Sequence, residues 1–252
     1  MSFLRTEQLA VHFGGVKAVQ DVSFAVEQGE VFSIVGPNGA GKTTIFNLVS
    51  RIYDSTAGRI EFDGQDITQI PTHKVAELGI ARTFQNTELF ERETVLNNLL
   101  IGCHQHSRTN VLAELFFLPG VRRQELAFRR TAEDVIDLLD LQSYRDQVIG
   151  NLSYGVRKMV EIARALCMQP KLLLLDEPSS GLNPEETEDL SFWLEDINQE
   201  LGITVIMVEH DMNLVSQASD RVMALADGQL LTIGTPQEVQ SHPDVLRAYL
   251  GD

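Results

Sequence analysis

The sequence predicts an α/β fold, a parallel sheet covered by helices, and three observations carry that prediction. Short apolar strand-like runs (Lys171–Leu175, Ile203–Val208) alternate with helical patterns over 155–167, 184–200 and 211–218, the order that βαβ units require. Val31-Phe32-Ser33-Ile34-Val35 reads as a buried strand and is followed at once by a glycine-rich turn and a helical pattern. Residues 3–35 carry alternating β-type runs, Leu9–Phe13 and Val22–Val26, with Gly14-Gly15 and Gln28-Gly29 as turns.

The turn after Val35 is Gly36-Pro37-Asn38-Gly39-Ala40-Gly41-Lys42-Thr43-Thr44. It satisfies G-x-x-x-x-G-K-[ST] in the strand–turn–helix context that a phosphate-binding loop needs. Its glycines let the backbone curl so that successive N–H groups face phosphate oxygens, and the helix start adds partial positive charge. Lys42 suits the β- and γ-phosphates and the Thr43 hydroxyl suits magnesium. The chain is therefore expected to bind a nucleoside triphosphate.

Arg59–Phe62, closed by Asp63-Gly64, is a further strand candidate. With the N-terminal runs it is expected to form an antiparallel sheet beside the core. From Thr94 to about Arg145 the pattern is helical, interrupted at Pro119-Gly120. Within it, Arg108, Arg122, Arg123, Arg129 and Arg130 face only Glu114 and Glu125 over residues 102–130, around the apolar stretch Val111–Leu118. Such a stretch is usually core; the functional alternative is a docking surface.

The chain has 252 residues, a formal charge of −16 and 43% hydrophobic residues, ordinary for a globular domain. That charge argues against a nucleic-acid footprint and against direct docking on anionic lipid. Cys103 and Cys167 stand far apart in sequence without metal-like spacing, which reads as free thiols. The start has no signal-peptide pattern, and no apolar run approaches the ~20 residues that span a bilayer. Work at a membrane is expected to need a partner that holds the chain there.

Leu172-Leu173-Leu174-Leu175-Asp176-Glu177 is an apolar strand ending in two carboxylates. Beside a phosphate loop, Asp176 suits magnesium ordering and Glu177 suits a general base that polarises the attacking water. Asn183-Pro184-Glu185-Glu186 is a helix start, with Asn183 as cap, Pro184 in the first turn and acids suited to the helix dipole.

Asn151-Leu152-Ser153-Tyr154-Gly155-Val156 precedes the helix beginning near Arg157. LSYGV resembles the LSGGQ signature of ATP-binding cassette (ABC) ATPases. The other members of that set occur in family order: Phe13 at the aromatic position, the phosphate loop, Gln85 at the Q-loop, LLLLDE, the D-loop Ser180-Gly181-Leu182-Asn183, and His210 at the switch position. The resemblance covers essentially the whole chain. It implies a P-loop NTPase with a RecA-like parallel-sheet core, an N-terminal antiparallel β subdomain and an inserted helical subdomain. The core and β parts are expected at about 1–90 and 155–252, the helical part at about 91–154.

The resemblance also implies roles. Phe13 stacks on adenine. Gly36, Pro37, Asn38, Gly39, Ala40, Gly41, Lys42, Thr43 and Thr44 hold ATP. Thr43, Gln85 and Asp176 serve Mg2+. Glu177, His210, Lys42 and Gln85 carry catalysis. Ser153 and Gly155 close over ATP bound to a facing ATPase domain, so two nucleotides lie between two head-to-tail domains. Tyr154 and Val156 depart from the signature, and Asn183 stands where many cassettes have Asp.

GIARTFQNTELF, SYGVRKMVEIARAL, DEPSSGLNP, VEHDMNLV and the closing Ala248–Asp252 are similar to the larger ATPase subunit of branched-chain amino acid importers, a subfamily with relatives for urea, amides and aromatic acids. This implies a second ATPase subunit as partner (a homodimer being the alternative), two permease subunits and, indirectly, an extracytoplasmic solute-binding protein. It implies no nucleic acid and a peripheral place on the cytoplasmic face of the inner membrane. A soluble cassette acting on DNA or ribosomes is opposed by the acidic charge and the single cassette. A P-loop kinase is disfavoured by LSYGV.

Overall fold

The structure, a computed structural model, describes residues 2–83, 89–106 and 119–250. Gln85, Arg108, the apolar stretch 111–118 and the last two residues lie outside the described residues. The chain divides into two compact units, Met1–Gln85 with Lys171–Ser180 and Pro184–Asp252, and Asn86–Pro170 with Gly181–Asn183.

The first unit is built on two sheets. Strands β1 (Leu4–Phe13), β2 (Val16–Val26), β4 (Ala57–Phe62) and β5 (Gln65–Asp66) form an antiparallel sheet of order β2-β1-β4-β5. The second sheet contains β3 (Val31–Val35), β6 (Ile80–Arg82), β7 (Leu172–Asp176), β8 (Thr204–Val208), β9 (Arg221–Ala226) and β10 (Gln229–Gly234), in the order β10-β9-β3-β8-β7-β6. Four of its five pairings are parallel, joining β9, β3, β8, β7 and β6, and β10 closes the edge antiparallel to β9. Every residue of β3, β7 and β8 is buried, the pattern of a parallel sheet covered on both faces. The expected strands at β3, β7 and β8 are present. The sequence reading missed β6, which has three residues, β10, whose polarity is mixed, and β9, although Val222–Ala226 is an apolar run.

One apolar core joins the two sheets. Leu4, Leu9, Phe24 and Phe62 from the antiparallel sheet pack with Phe32, Ile34, Leu172 and Ile206 from the other, and with Ile45 and Phe46 of helix α1 (Lys42–Val49). Phe24 and Phe32 stack with ring centroids 5.7 Å apart. Fully burying each such side chain contributes about 1.5–3 kcal/mol.

The second unit is helical, with α3 (Val95–Cys103), α4 (Pro119–Leu138) and α5 (Tyr154–Leu166); the short α2 (Thr72–Val75) belongs to the first unit. The sequence reading assigned α5 to the core. It groups instead with α3 and α4, and Gly102 of α3 lies so close to the Arg164 carbonyl that a Cβ there has no room. Asn98, fully buried, closes the loop before α3: its Nδ2 donates to the Phe90 and Thr94 carbonyls and its Oδ1 accepts from the Phe90 N–H. The α3–α5 contact also brings together the two cysteines that are far apart in sequence. Both are buried and free, and a thiol–thiol hydrogen bond, with burial behind it, pushes Cys167 up from the ordinary thiol value.

Helices α6 (Pro184–Gln199), α7 (Met212–Ala218), α8 (Pro236–Ser241) and α9 (Pro243–Leu250) complete the first unit. Among the described residues no helix is long and apolar enough to cross a membrane.

Candidate active site

The phosphate loop runs from the end of β3 into α1, as its sequence requires. Gly36 has φ +153 and a Cβ there meets the Leu225 carbonyl oxygen; Gly41, the residue before α1, has φ +99 and a Cβ there would stand 2.6 Å from the Ala18 oxygen. Only glycine fits either position. The start of α1 has no side-chain cap and no acid in its first turn, so its N–H groups remain available to an anion. Lys42 Nζ donates to the Gly36 and Pro37 carbonyls at 2.6 and 3.1 Å. Burial lowers its pKa, against the opposing pull of the Glu177 and Asp176 carboxylates.

A cavity of about 570 Å³ opens over this loop, lined by Asn38, Gly39, Ala40, Gly41, Lys42, Thr43, Thr44 and Glu177 and, on its far wall, by Val16–Ala18, Gln20, Asp227 and Gly228. The far wall is held to the loop by backbone bonds, Gly228 N to Ala40 O at 3.1 Å and Gln20 N to Gly228 O at 2.7 Å. A second cavity of about 510 Å³ is lined by Gly36, Pro37, Asn38, Glu177, His210 and Tyr249. Glu177 and Asn38 line both, so Glu177 stands between the loop and His210.

Glu177 has φ +49, a left-handed conformation uncommon for a residue with a side chain and often found at functional sites. Its N–H is held by the Val208 carbonyl at 2.9 Å, and its carbonyl accepts the Ser180 N–H at 3.1 Å. Just beyond β8, the fully buried Glu209 organises the neighbouring turns. Its Oε1 accepts the Ser179 N–H at 2.8 Å and its Oε2 accepts the His210 and Asp211 N–H groups at 2.9 and 3.3 Å. His210 itself is exposed, with its side chain 58% accessible. The sequence reading named His210 and passed over Glu209, whose role depends on donors supplied by two separate strand ends.

Asp176 ends β7, almost fully buried, and pairs with Arg82 at 2.9 Å. Arg82 also donates to Asn47 Oδ1 and Ser50 Oγ of the α1 segment at 2.6 and 2.9 Å, and lies over the Phe46 ring. This arginine ties the carboxylate to the helix that follows the loop. It too was missed, although it stands in the quoted GIARTFQN run.

Phe13 lines neither cavity; it sits exposed at the end of β1 with its ring 5.0 Å from Tyr53, edge to face. Gln85 falls outside the described residues. Ser153 and Gly155 belong to the helical unit. There the Ser153 hydroxyl caps α5 by accepting the Val156 N–H at 3.3 Å, and the Tyr154 ring packs on Gly181, whose φ is +82. Thr43 and Asp176 offer hydroxyl and carboxylate oxygens, the donor chemistry that suits Mg2+ beside substrate phosphates.

A family model described as ABC transporter matches residues 19–180, which span the loop, the signature and both carboxylates. The chain belongs to the ABC transporter family. A second model, described as branched-chain amino acid ATP-binding cassette transporter, matches residues 229–252, from β10 through α9. This cassette is similar to the high-affinity branched-chain amino acid transport ATP-binding protein BraF of Pseudomonas aeruginosa, at 42% identity over 99% of this chain and 98% of that one. The corresponding protein LivG of Escherichia coli is 38% identical over the same shares. Among solved structures, an ATP-binding cassette of an ABC transporter in its ADP conformation superposes with a TM-score of 0.87 at 34% identity, covering all of both chains. A nucleotide-free cassette gives 0.86 at 33%, also over all of both. The P-loop fold and ATP-binding character expected from the sequence are thereby established.

Proposed function

We propose that this cassette is the ATP-hydrolysing subunit of an importer for branched-chain or related amino acids. The observation that carries the chemistry is Glu177, which lines both the cavity over the phosphate loop and the cavity shared with His210. In this reading the loop N–H groups and Lys42 hold the β- and γ-phosphates, and Glu177 accepts a proton from the attacking water. His210 holds that water and the γ-phosphate from the opposite wall. Thr43 and Asp176, with Gln85, would hold Mg2+, which neutralises charge on the phosphate oxygens when bound. Phe13, exposed at the end of β1, supplies an aromatic face for adenine.

Ser153 and Gly155 serve the nucleotide of a second cassette, so each chain completes its counterpart's site. That counterpart is a similar ATPase subunit or a second copy. Two permease subunits hold the pair at the cytoplasmic face of the membrane, with a solute-binding protein on the other side. The similarity to BraF and LivG and the matched C-terminal segment support the amino acid assignment. The test is assembly: Glu177→Gln, saturated with Mg-ATP, should form a dimer, alone or with its companion ATPase, that dissociates when ATP is removed. A strictly monomeric species in both cases overturns the shared-site reading. Charge reversal at Arg122 and Arg123, both exposed on α4, should reduce co-purification with the permease.

A further inference from the structure

We infer that Arg82, at the end of β6, is a positioning residue for the Mg2+ site: it fixes the Asp176 carboxylate to helix α1, the element that carries Thr43. The inference rests on the ATPase reading, in which Thr43 and Asp176 serve the metal, and adds a residue that acts through those two donors.

The donors come from separate elements. Asp176 is the last residue of β7, and Thr43 is the second residue of α1. Ordering Mg2+ calls for oxygens at set positions, because this ion tolerates little departure from octahedral geometry. Strand β6 lies parallel to β7, with Arg82 in register with Leu174. The next residue tightens the junction. The Thr83 N–H donates to the Leu174 carbonyl at 2.9 Å, and the buried Thr83 hydroxyl accepts the Asp176 N–H at 3.4 Å. The backbone that carries Arg82 is thus held beside the carboxylate.

The Arg82 side chain then reaches α1. Nη2 donates to Asp176 Oδ2 at 2.9 Å, while Nη1 donates to Asn47 Oδ1 at 2.6 Å and to Ser50 Oγ at 2.9 Å. The guanidinium carbon lies 5.6 Å from the centroid of the buried Phe46 ring. Asn47 follows Thr43 by four residues, so the two share one face of α1. The side chains of Arg82 and Asp176 are only 9% and 2% accessible, so water screens little of this contact. A planar guanidinium presents its donors in a rigid fork, which a lysine ammonium does not reproduce. One rigid group therefore sets the direction of the carboxylate and ties it to the helix that presents the Thr43 hydroxyl. Neutralising a buried carboxylate requires the ion pair alone; the two bonds to the α1 segment are what add registration between the donors.

The experiment measures ATP affinity of the full-length chain by titration calorimetry, in excess EDTA and with saturating Mg2+. The quantity compared is the factor by which Mg2+ tightens ATP binding. The variants are Arg82→Lys, Asn47→Ala and the comparator Arg51→Lys. Arg51 is also buried just after α1, but it donates to Asp54 and to the Tyr53 and Ile70 carbonyls. Loss of an outer partner of a metal-binding carboxylate predicts a factor reduced about 10-fold in Arg82→Lys. Asn47→Ala keeps the ion pair and removes one hydrogen bond, so a reduction of roughly 3- to 5-fold is expected. Affinity in EDTA should stay within about twofold in both, and Arg51→Lys should keep the parental factor. Thermal unfolding shows which variants are folded; should Arg82→Lys not fold, Asn47→Ala decides. A parental factor in Asn47→Ala overturns the inference. So does an EDTA affinity that falls as far as the Mg2+ affinity, or an equal loss in Arg51→Lys, since either would make Arg82 a general support of the fold. A parent chain whose ATP affinity ignores Mg2+ overturns the reading of Thr43 and Asp176 as metal donors, a failure visible before any substitution is made.

Discussion

The Glu209 carboxylate accepts the Ser179 N–H at 2.8 Å, and so joins the turn after the Glu177 strand to the strand end that carries His210. Replacing Glu209 by alanine leaves the Ser179, His210 and Asp211 N–H groups without their acceptor. A loss of about 3 kcal/mol of stability is expected, with a turnover defect at temperatures where the variant is still folded. Thermal unfolding and ATPase assays read the two effects separately. A variant of parental stability and activity would show that water replaces the carboxylate at no cost.

Glu177→Gln should slow hydrolysis by about 10²–10⁴-fold, the usual contribution of a general base, and leave ATP binding in place. Single-turnover measurements distinguish slowed chemistry from slowed product release. An unchanged turnover number removes Glu177 from the role.

Lys42→Ala should lose ATP affinity. The Lys42 ammonium spans two loop carbonyls, and these, together with the incoming phosphates, lose their cation. Titration calorimetry gives the answer directly; retained affinity contradicts the phosphate-loop assignment.

Gly181 and Tyr154 should be coupled. A Cβ at Gly181 stands 2.7 Å from Tyr154 Cε1, and the backbone there has φ +82. Gly181→Ala is expected to cost about 1–3 kcal/mol, from strain and collision together. Adding Tyr154→Ala should relieve the collision and leave the strain, giving a non-additive term of about 0.5–1 kcal/mol in a double-mutant cycle. Strict additivity would mean that the ring simply moves aside.

Acid should weaken the helical unit through Glu133. A hydrogen bond from the Arg145 guanidinium holds the Glu133 carboxyl below its ordinary value of 4.5. A depressed carboxylate contributes stability that is present above the unfolded value and lost as pH falls through the folded one. The stability difference between the parent and Glu133→Gln should thus be largest above pH 4.5 and shrink below it. Unfolding curves at several pH values test this; a difference that grows with acid refutes it.

Much of the molecule was legible in the residues alone. β3 is apolar but for Ser33 and β7 is apolar up to Asp176, and burial on both faces of a parallel sheet favours such runs. The loop between β3 and α1 needs glycine where no Cβ fits, so it announces itself. At the antiparallel edge, β10 mixes polarities, and β9, although Val222–Ala226 is apolar, was not read as half of a hairpin because no turn motif was recognised at Asp227-Gly228. Glu209 stayed hidden for another reason. A carboxylate looks exposed in a sequence, and only the converging backbone N–H groups reveal that it is fully buried. Arg82 was quoted for its resemblance and given no task, because its partners Asn47 and Asp176 lie far from it in sequence. The grouping of α5 with the helical unit rests on tertiary packing, the close approach of Gly102 to Arg164 among it, which no periodicity records.

The chain's two cysteines are packed against each other beneath α3 and α5, 1% and 0% exposed. A maleimide dye added to the folded protein would find neither. A single cysteine introduced on an outer face would then be the sole labelling point, so spectroscopic rulers between two cassettes need no prior removal of the native thiols.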